Sequence, residues 1–153
     1  MEKNTARRTR TVLVDTNILV SGLVFTKGNE HKILRLAEDK DITLVLPEFV
    51  LKEARTVLSN RFPGHEILLD AFIQRTQHAI VPMNQFEGEI PRHRESVRDA
   101  KDVAVFAATI VTKPDLAVTG DKTLREDMKR SQVTDHTVVC SSSELLKEIL
   151  KQS

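Results

Sequence analysis

The chain has 153 residues, 40% of them hydrophobic, and 23 basic against 22 acidic side chains, a balance that suits one globular domain burying about two-thirds of its surface. A net charge of +1 excludes a global field that steers polyanions, and the longest apolar run, Val103 to Ala108, excludes a membrane-spanning helix of ~20 residues. Cys140 is the only cysteine, so no internal disulfide forms, and with no secretory leader a cytoplasmic protein is expected.

Residues 1–10 carry Lys3, Arg7, Arg8 and Arg10 against Glu2 and read as a basic, flexible arm ahead of a single domain over residues 11–153. Thr11 to Val14 is β-branched or aliphatic without a polar break, the pattern of a strand buried on both faces, and Asp15 stands at its carboxyl end. In an open parallel sheet that end borders the ligand crevice. A carboxylate there also suits an N-cap, with Thr16 and Asn17 completing the turn. Ile18 to Phe25 is apolar and breaks at Gly28; His31 to Asp39 has helical spacing; Ile42 to Leu46 is a second buried strand.

Pro47 opens a helix that runs to about Arg61, where Pro63-Gly64 ends it. At roughly 100° per residue, Val50, Ala54, Val57 and Leu58 form its buried stripe. Glu53 falls on the stripe's margin between Phe49 and Val57, and Glu48 points away to the surface. Glu66 to His78 reads as an amphipathic helix with Ile67, Leu68, Ala71, Phe72 and Ile73 inward. Ala79 to Val81 is too short to assign, and residues 82–97 lack periodicity and read as a loop or lid.

Asp99 and Asp102 precede a buried helix over Val103 to Ala108 and suit its N-terminal turn. Leu116 to Thr119 is a strand, and Gly120-Asp121 ends it as Asp15 ends the first. A charged helix over Lys122 to Arg130, a strand over Val138 to Cys140 and a helix capped by Ser141 to Ser143 complete the chain. Strands alternating with helices give an α/β fold with a mostly parallel sheet.

Four acids therefore share one placement: Asp15 and Asp121 at strand ends, Asp102 in a first helical turn and Glu53 on a helix margin. Converging carboxylates repel, which raises a pKa or draws in a cation, and hard oxygens without histidine or thiol suit Mg²⁺ or Mn²⁺. Five dispersed histidines and one cysteine give no zinc pattern, and the absence of Trp and Tyr argues against a base-stacking platform. Neither a Walker A nor a G-x-G-x-x-G motif occurs.

Residues 12–21 (VLVDTNILVS), residues 46–53 (LPEFVLKE), Arg-Asp-Ala-Lys-Asp before the apolar helix, and residues 118–124 (VTGDKTL) resemble the ordered motifs of PIN domains, in particular the toxin components of toxin-antitoxin systems. The resemblance runs from residue 11 to the final helix and implies a three-layer α/β/α sandwich with a Mg²⁺- or Mn²⁺-dependent ribonuclease centre. On it, the motif acids fall on Asp15, Glu53, Asp102 and Asp121: the three aspartates would bind an ion, and Glu53 would bind a second ion or activate water. Asn17 and Thr119 fall on orienting polar positions. Ala100 and Lys101 depart from the denser acidic run usual before the third helix, which leaves Asp99 as a supporting residue or cap.

The implied function is an endoribonuclease with an RNA substrate and, as a toxin, an antitoxin partner; a homodimer is a further partner the resemblance allows. Alternatives are an RNA-processing or quality-control nuclease without an antitoxin and a catalytically silent PIN-fold binding protein. A phosphohydrolase with Asp15 as nucleophile is disfavoured because Asn17 stands where a second acid is expected. Two basic sets are candidates to meet RNA phosphates, Arg7, Arg8 and Arg10 before the first strand, and Arg92, Arg94, Arg98 and Lys101 before the third motif; solvated surface is the alternative for both.

Overall fold

The computed structural model describes residues 8–151. Five parallel strands, β1 (Arg10–Val14), β2 (Ile42–Pro47), β3 (His78–Val81), β4 (Leu116–Val118) and β5 (Val138–Cys140), form one sheet in the order β3-β2-β1-β4-β5. Strand β1 is central, and its side chains alternate between the two faces. Val12 and Val14 join a core with α1 (Thr16–Val24), α2 (Asn29–Glu38), α3 (Glu48–Arg61), α4 (Glu66–Arg75) and α7 (Ser142–Leu150). Leu13 joins a second core with α5 (Val103–Thr112) and α6 (Lys122–Lys129) on the opposite face. Helices therefore cover both faces, and the expected α/β/α sandwich is the observed one.

From β1 the chain steps outward to β2 and β3, then returns to the other side of β1 as β4 and β5. This reversal of winding makes the carboxyl ends of β1 and β4 a topological switch point, where connections leave in opposite directions and open a crevice. Asp15 and the Thr119-Gly120-Asp121 turn stand at those two ends.

Several expectations shift. Arg10 already belongs to β1, half-buried with its guanidinium 3.6 Å from Glu148, so it is part of the domain and not of an arm; residues 1–7 lie outside the described residues. Helix α4 stops at Arg75, and His78–Val81 pairs in parallel with β2 as an edge strand. Ile67 and Leu68 are 70% and 40% exposed instead of buried. The stripe that packs is Leu69, Phe72, Ile73 and Thr76, an i, i+3, i+4, i+7 set turned away from those two residues.

Residues 82–97 are not a lid. They form short 3-10 turns at Met83–Gln85, Glu87–Glu89 and Pro91–His93, and Phe86 and Val97 anchor them in the second core. Glu48, expected to face solvent, is half-buried and accepts a long 3.5 Å contact from the Met83 amide, tying α3 to this segment.

Helices α1 and α2 pack tightly at Gly22. A Cβ there would stand 2.6 Å from Leu34 Cδ1 and 2.9 Å from the Glu30 carbonyl oxygen, and Leu34 is buried and cannot swing away. Across the same contact His31 Nδ1 donates to the Gly22 carbonyl at 2.8 Å. Gly22→Ala is expected to lower stability by about 1–3 kcal/mol, the cost of overpacking a filled core. Urea unfolding followed by circular dichroism checks this, and an unchanged midpoint would show that the α1–α2 packing is loose.

An acidic cleft as candidate active site

The first strand's apolar run ends at Asp15 because the chain turns into α1 there. One carboxylate oxygen of Asp15 accepts the Ile18 amide at 3.1 Å as the N-cap, and the other accepts a hydrogen bond from the Thr119 hydroxyl. The same Thr119 oxygen accepts the Asp121 amide at 3.1 Å, and Asp121 caps α6 through the Leu124 amide at 3.1 Å. One buried threonine thus links the ends of β1 and β4 and fixes two acids relative to each other.

The third acid arrives from the opposite core. Asp99 accepts the Lys101 amide at 3.2 Å and starts a 3-10 turn over Ala100–Asp102, which delivers Asp102 buried at the mouth of α5. Its Oδ2 is buried without a hydrogen-bond partner among the described residues. A buried, unpartnered carboxylate oxygen is costly and calls for a proton, a water or a cation. Glu53 reaches the cleft from α3. It is exposed rather than set beside the core, and Thr16 Oγ1 holds one of its oxygens at 2.6 Å.

Asp15, Asn17, Glu53 and Asp102 line one cleft of about 530 Å³, shared with Thr16, Lys101, Phe49, Lys52, Thr56 and Val57, over a floor of Val105 and Leu124. Asp121 stands beside it, close enough for its charge to act on both Asp15 and Asp102. Burial pushes the Asp15 carboxyl upward against the bonds from Thr119 and Ile18. Burial, then the charges of Asp121 and Asp99, push Asp102 up to about 6, with Lys101 pulling the other way.

The expected convergence is therefore partial. Among the described residues no three acidic, histidine or cysteine side chains are drawn together tightly enough to cage an ion as they stand. Asp15 and Asp121 each commit an oxygen to a helix cap. The donor set nonetheless fits a hard divalent cation, since every acid offers oxygen, no histidine lines the cleft and Asp102 Oδ2 has no protein donor to bind. Cys140 lies elsewhere, buried in β5, where burial pushes its thiol up to about 12 and leaves it inert.

The basic candidates separate by position. Arg8 pairs with Asp115 at 2.7 Å and Arg10 with Glu148, both at the amino end of the sheet, the end opposite Asp15; Arg7 lies outside the described residues. Arg92 pairs with Glu89, and Arg94 is exposed. Arg98 is structural: its amide and Nε each bond the buried Asp127 at 2.9 Å, and its Nη2 reaches Glu126 and the Thr123 carbonyl. Burial opposes ionisation of Asp127, but these bonds outweigh it and hold its carboxyl below the usual range. The network clamps the segment before Asp102 onto α6. Lys101 lines the cleft while 3.6 Å from Asp99, and Lys52, which sequence reasoning missed, lines it from α3. The signal was present: Lys52 and Thr56, like Phe49, Glu53 and Val57, are four residues apart and so share helix faces.

The raised Asp102 fixes a sign for the metal-free protein. Its folded pKa of about 6 exceeds the ordinary 3.8, so its contribution to stability is intact below pH ~4 and is lost as pH rises through 6. A displacement of that size corresponds to roughly 3 kcal/mol at most. Asp102→Asn is expected to raise the metal-free melting temperature at neutral pH, to flatten its fall between pH 4 and 6, and to reduce the further rise on adding Mn²⁺. Asp99→Asn removes only the weaker of the two charges that raise Asp102, so it is expected to flatten the fall slightly and to leave the rise on adding Mn²⁺ in place. Circular dichroism melts across pH check both variants, and a lowered neutral-pH midpoint for Asp102→Asn would make this acid an ordinary cap.

No curated protein matches the chain. In structure the chain is similar to one in the crystal structure of VapBC2 from Rickettsia felis bound to a DNA fragment from their promoter, with a TM-score of 0.62 and 18% identity over 86% of this chain and 98% of that one. At that identity the likeness speaks for the fold. The family model described as the PIN domain matches residues 11–123, from the start of β1 through the Asp121 turn and thus across all four acids, and the chain belongs to the PIN domain family.

Proposed function

We propose that this PIN-domain protein is a Mg²⁺- or Mn²⁺-dependent endoribonuclease that hydrolyses RNA phosphodiester bonds and acts as the toxin of a toxin-antitoxin pair. The observation that carries the reading is Asp102: a buried carboxylate oxygen without a partner among the described residues, within reach of the charge of Asp121 at a topological switch point. Asp15, Asp102 and Asp121 would hold the ion. When bound, a divalent cation supplies charge to a phosphodiester and makes water more acidic.

The chain's own residues do the rest. Thr119 favours the ionised form of Asp15 by donating to it and orients Asp121 through its amide. Thr16 fixes one oxygen of Glu53, and the other has no protein partner among the described residues, which suits it to take a proton from water. Lys52 and Lys101, on the walls of the same cleft, supply the local positive charge that a net charge of +1 does not. The toxin assignment is supported by the likeness to a chain of VapBC2 and implies an antitoxin protein as partner. No helix among the described residues is long and apolar enough to cross a membrane, which is compatible with that role.

Cleavage of single-stranded RNA is expected to require Mg²⁺ or Mn²⁺ and to be abolished by Asp15→Asn. Glu53→Gln is expected to lose at least tenfold, and Glu48→Gln, outside the cleft, to stay within about twofold; tenfold is ~1.4 kcal/mol of transition-state stabilisation. Equal losses from both glutamates, or cleavage that persists in chelator, would contradict this assignment of roles.

RNA affinity provides a separate check. The Lys52→Gln, Lys101→Gln double variant is expected to flatten the salt dependence of binding by roughly 0.7 log units per log salt for each phosphate that is no longer neutralised. Arg8→Gln with Arg10→Gln, at the far end of the sheet, is expected to leave the slope unchanged. The opposite pattern would move the RNA path off this cleft.

A further inference from the structure

We propose that the cleft seats a nucleobase of the RNA against a wall formed by Phe49 and Val57, so that the protein selects an unpaired nucleotide beside the scissile phosphate; this rests on the ribonuclease reading. The wall follows from helix geometry. Phe49, Glu53 and Val57 are spaced by four residues along α3, so each lies about 6 Å from the next on one face. An acid is thereby flanked on both sides by apolar surface opening into the same cleft.

Phe49 is built to stand still. One side of its ring leans on the buried Phe86, with centroids 5.9 Å apart and planes at 57°, and it packs against both cores at the carboxyl rim of the sheet. Core packing accounts for that side. Phe49 is nonetheless only half-buried, and it lines the cleft together with Glu53, Val105 and Leu124. Acids and a bound cation have no use for an apolar aromatic surface, whereas a nucleotide carries a phosphate at one end and a flat apolar face at the other.

A base already stacked and paired in a duplex has no free face to offer, while an unpaired base can swing out onto an aromatic side chain. Every base has such a face, so this wall discriminates unpaired from paired nucleotides and not one base from another. The lack of Trp and Tyr removes an extended stacking platform, and one phenylalanine suffices for one base.

The test uses a single-stranded RNA oligonucleotide that the wild-type protein cuts in Mn²⁺, and copies lacking the base on one or the other side of the cut. The wild type is expected to cut one of the two abasic copies with a kcat/KM roughly tenfold lower, the size of one base–aromatic contact. In Phe49→Leu, which keeps an apolar side chain against Phe86, that penalty is expected to shrink below about threefold. Val57→Thr, nearly isosteric and half-exposed, is the second variant and shrinks it in the same sense. Equal cutting of intact and both abasic copies by the wild type overturns the wall. A penalty that stays tenfold in both variants places the base elsewhere and overturns it as well. Failure of the wild type to cut any RNA is a different result, which overturns the ribonuclease reading and this inference together.

Discussion

The bond from the Thr119 hydroxyl to Asp15 spans the ends of the two central strands where the winding of the sheet reverses, and the cleft depends on it. Without a donor there, Asp15 would be a largely buried carboxylate with little beyond its helix-cap amides to stabilise its charge, a state that favours protonation over metal binding. With it, the carboxylate is partly stabilised in its charged form, and the turn to Asp121 is held through the same oxygen. Two buried strands, two helix caps and two acids thus share a single side chain. The Arg98–Asp127 clamp does comparable work on the other wall by fixing the segment that leads to Asp102.

This arrangement sets stability against function. Each cap stabilises its helix, yet it holds a carboxylate at a buried switch point, and burial first, with the charge of Asp121 added, raises both Asp15 and Asp102. No closed ligand cage stands ready among the described residues. A cation would offset the repulsion and satisfy Asp102 Oδ2 at once. The fold would then be complete without the ion, and binding it would relieve the repulsion and add stability.

Much of this was legible in the sequence because it rests on period and punctuation. An unbroken apolar run before Asp15 marks a strand buried on both faces, and Asp121 repeats the device after β4. What failed was orientation where two periods compete. In Glu66–Arg75 the residues Ile67, Leu68, Leu69 and Phe72 allow more than one apolar stripe, and only packing under α3 decides for Leu69 and Phe72. The edge strand β3 is four residues with two exposed, too short to show alternation, and in residues 83–93 only Phe86, between two 3-10 turns, is buried, which leaves no helical period. Among site residues, the acids carried a signal through their places at element ends. The places of Lys52 and Phe49 on one cavity follow from setting β1, α3 and α5 around it, and the pairing of Arg98 with Glu126 and Asp127 was not legible because those partners lie 28 and 29 residues further on.

If these acids form a divalent cation centre, anomalous scattering from a crystal grown with Mn²⁺ tests it most directly. A peak is predicted at the switch point, within coordination distance of carboxylate oxygens of Asp15, Asp102 and Asp121, about 2.0–2.6 Å for hard oxygen ligands. Absence of a peak there at saturating Mn²⁺, with Asp102 Oδ2 bonded to a proton donor of the protein instead, would contradict it.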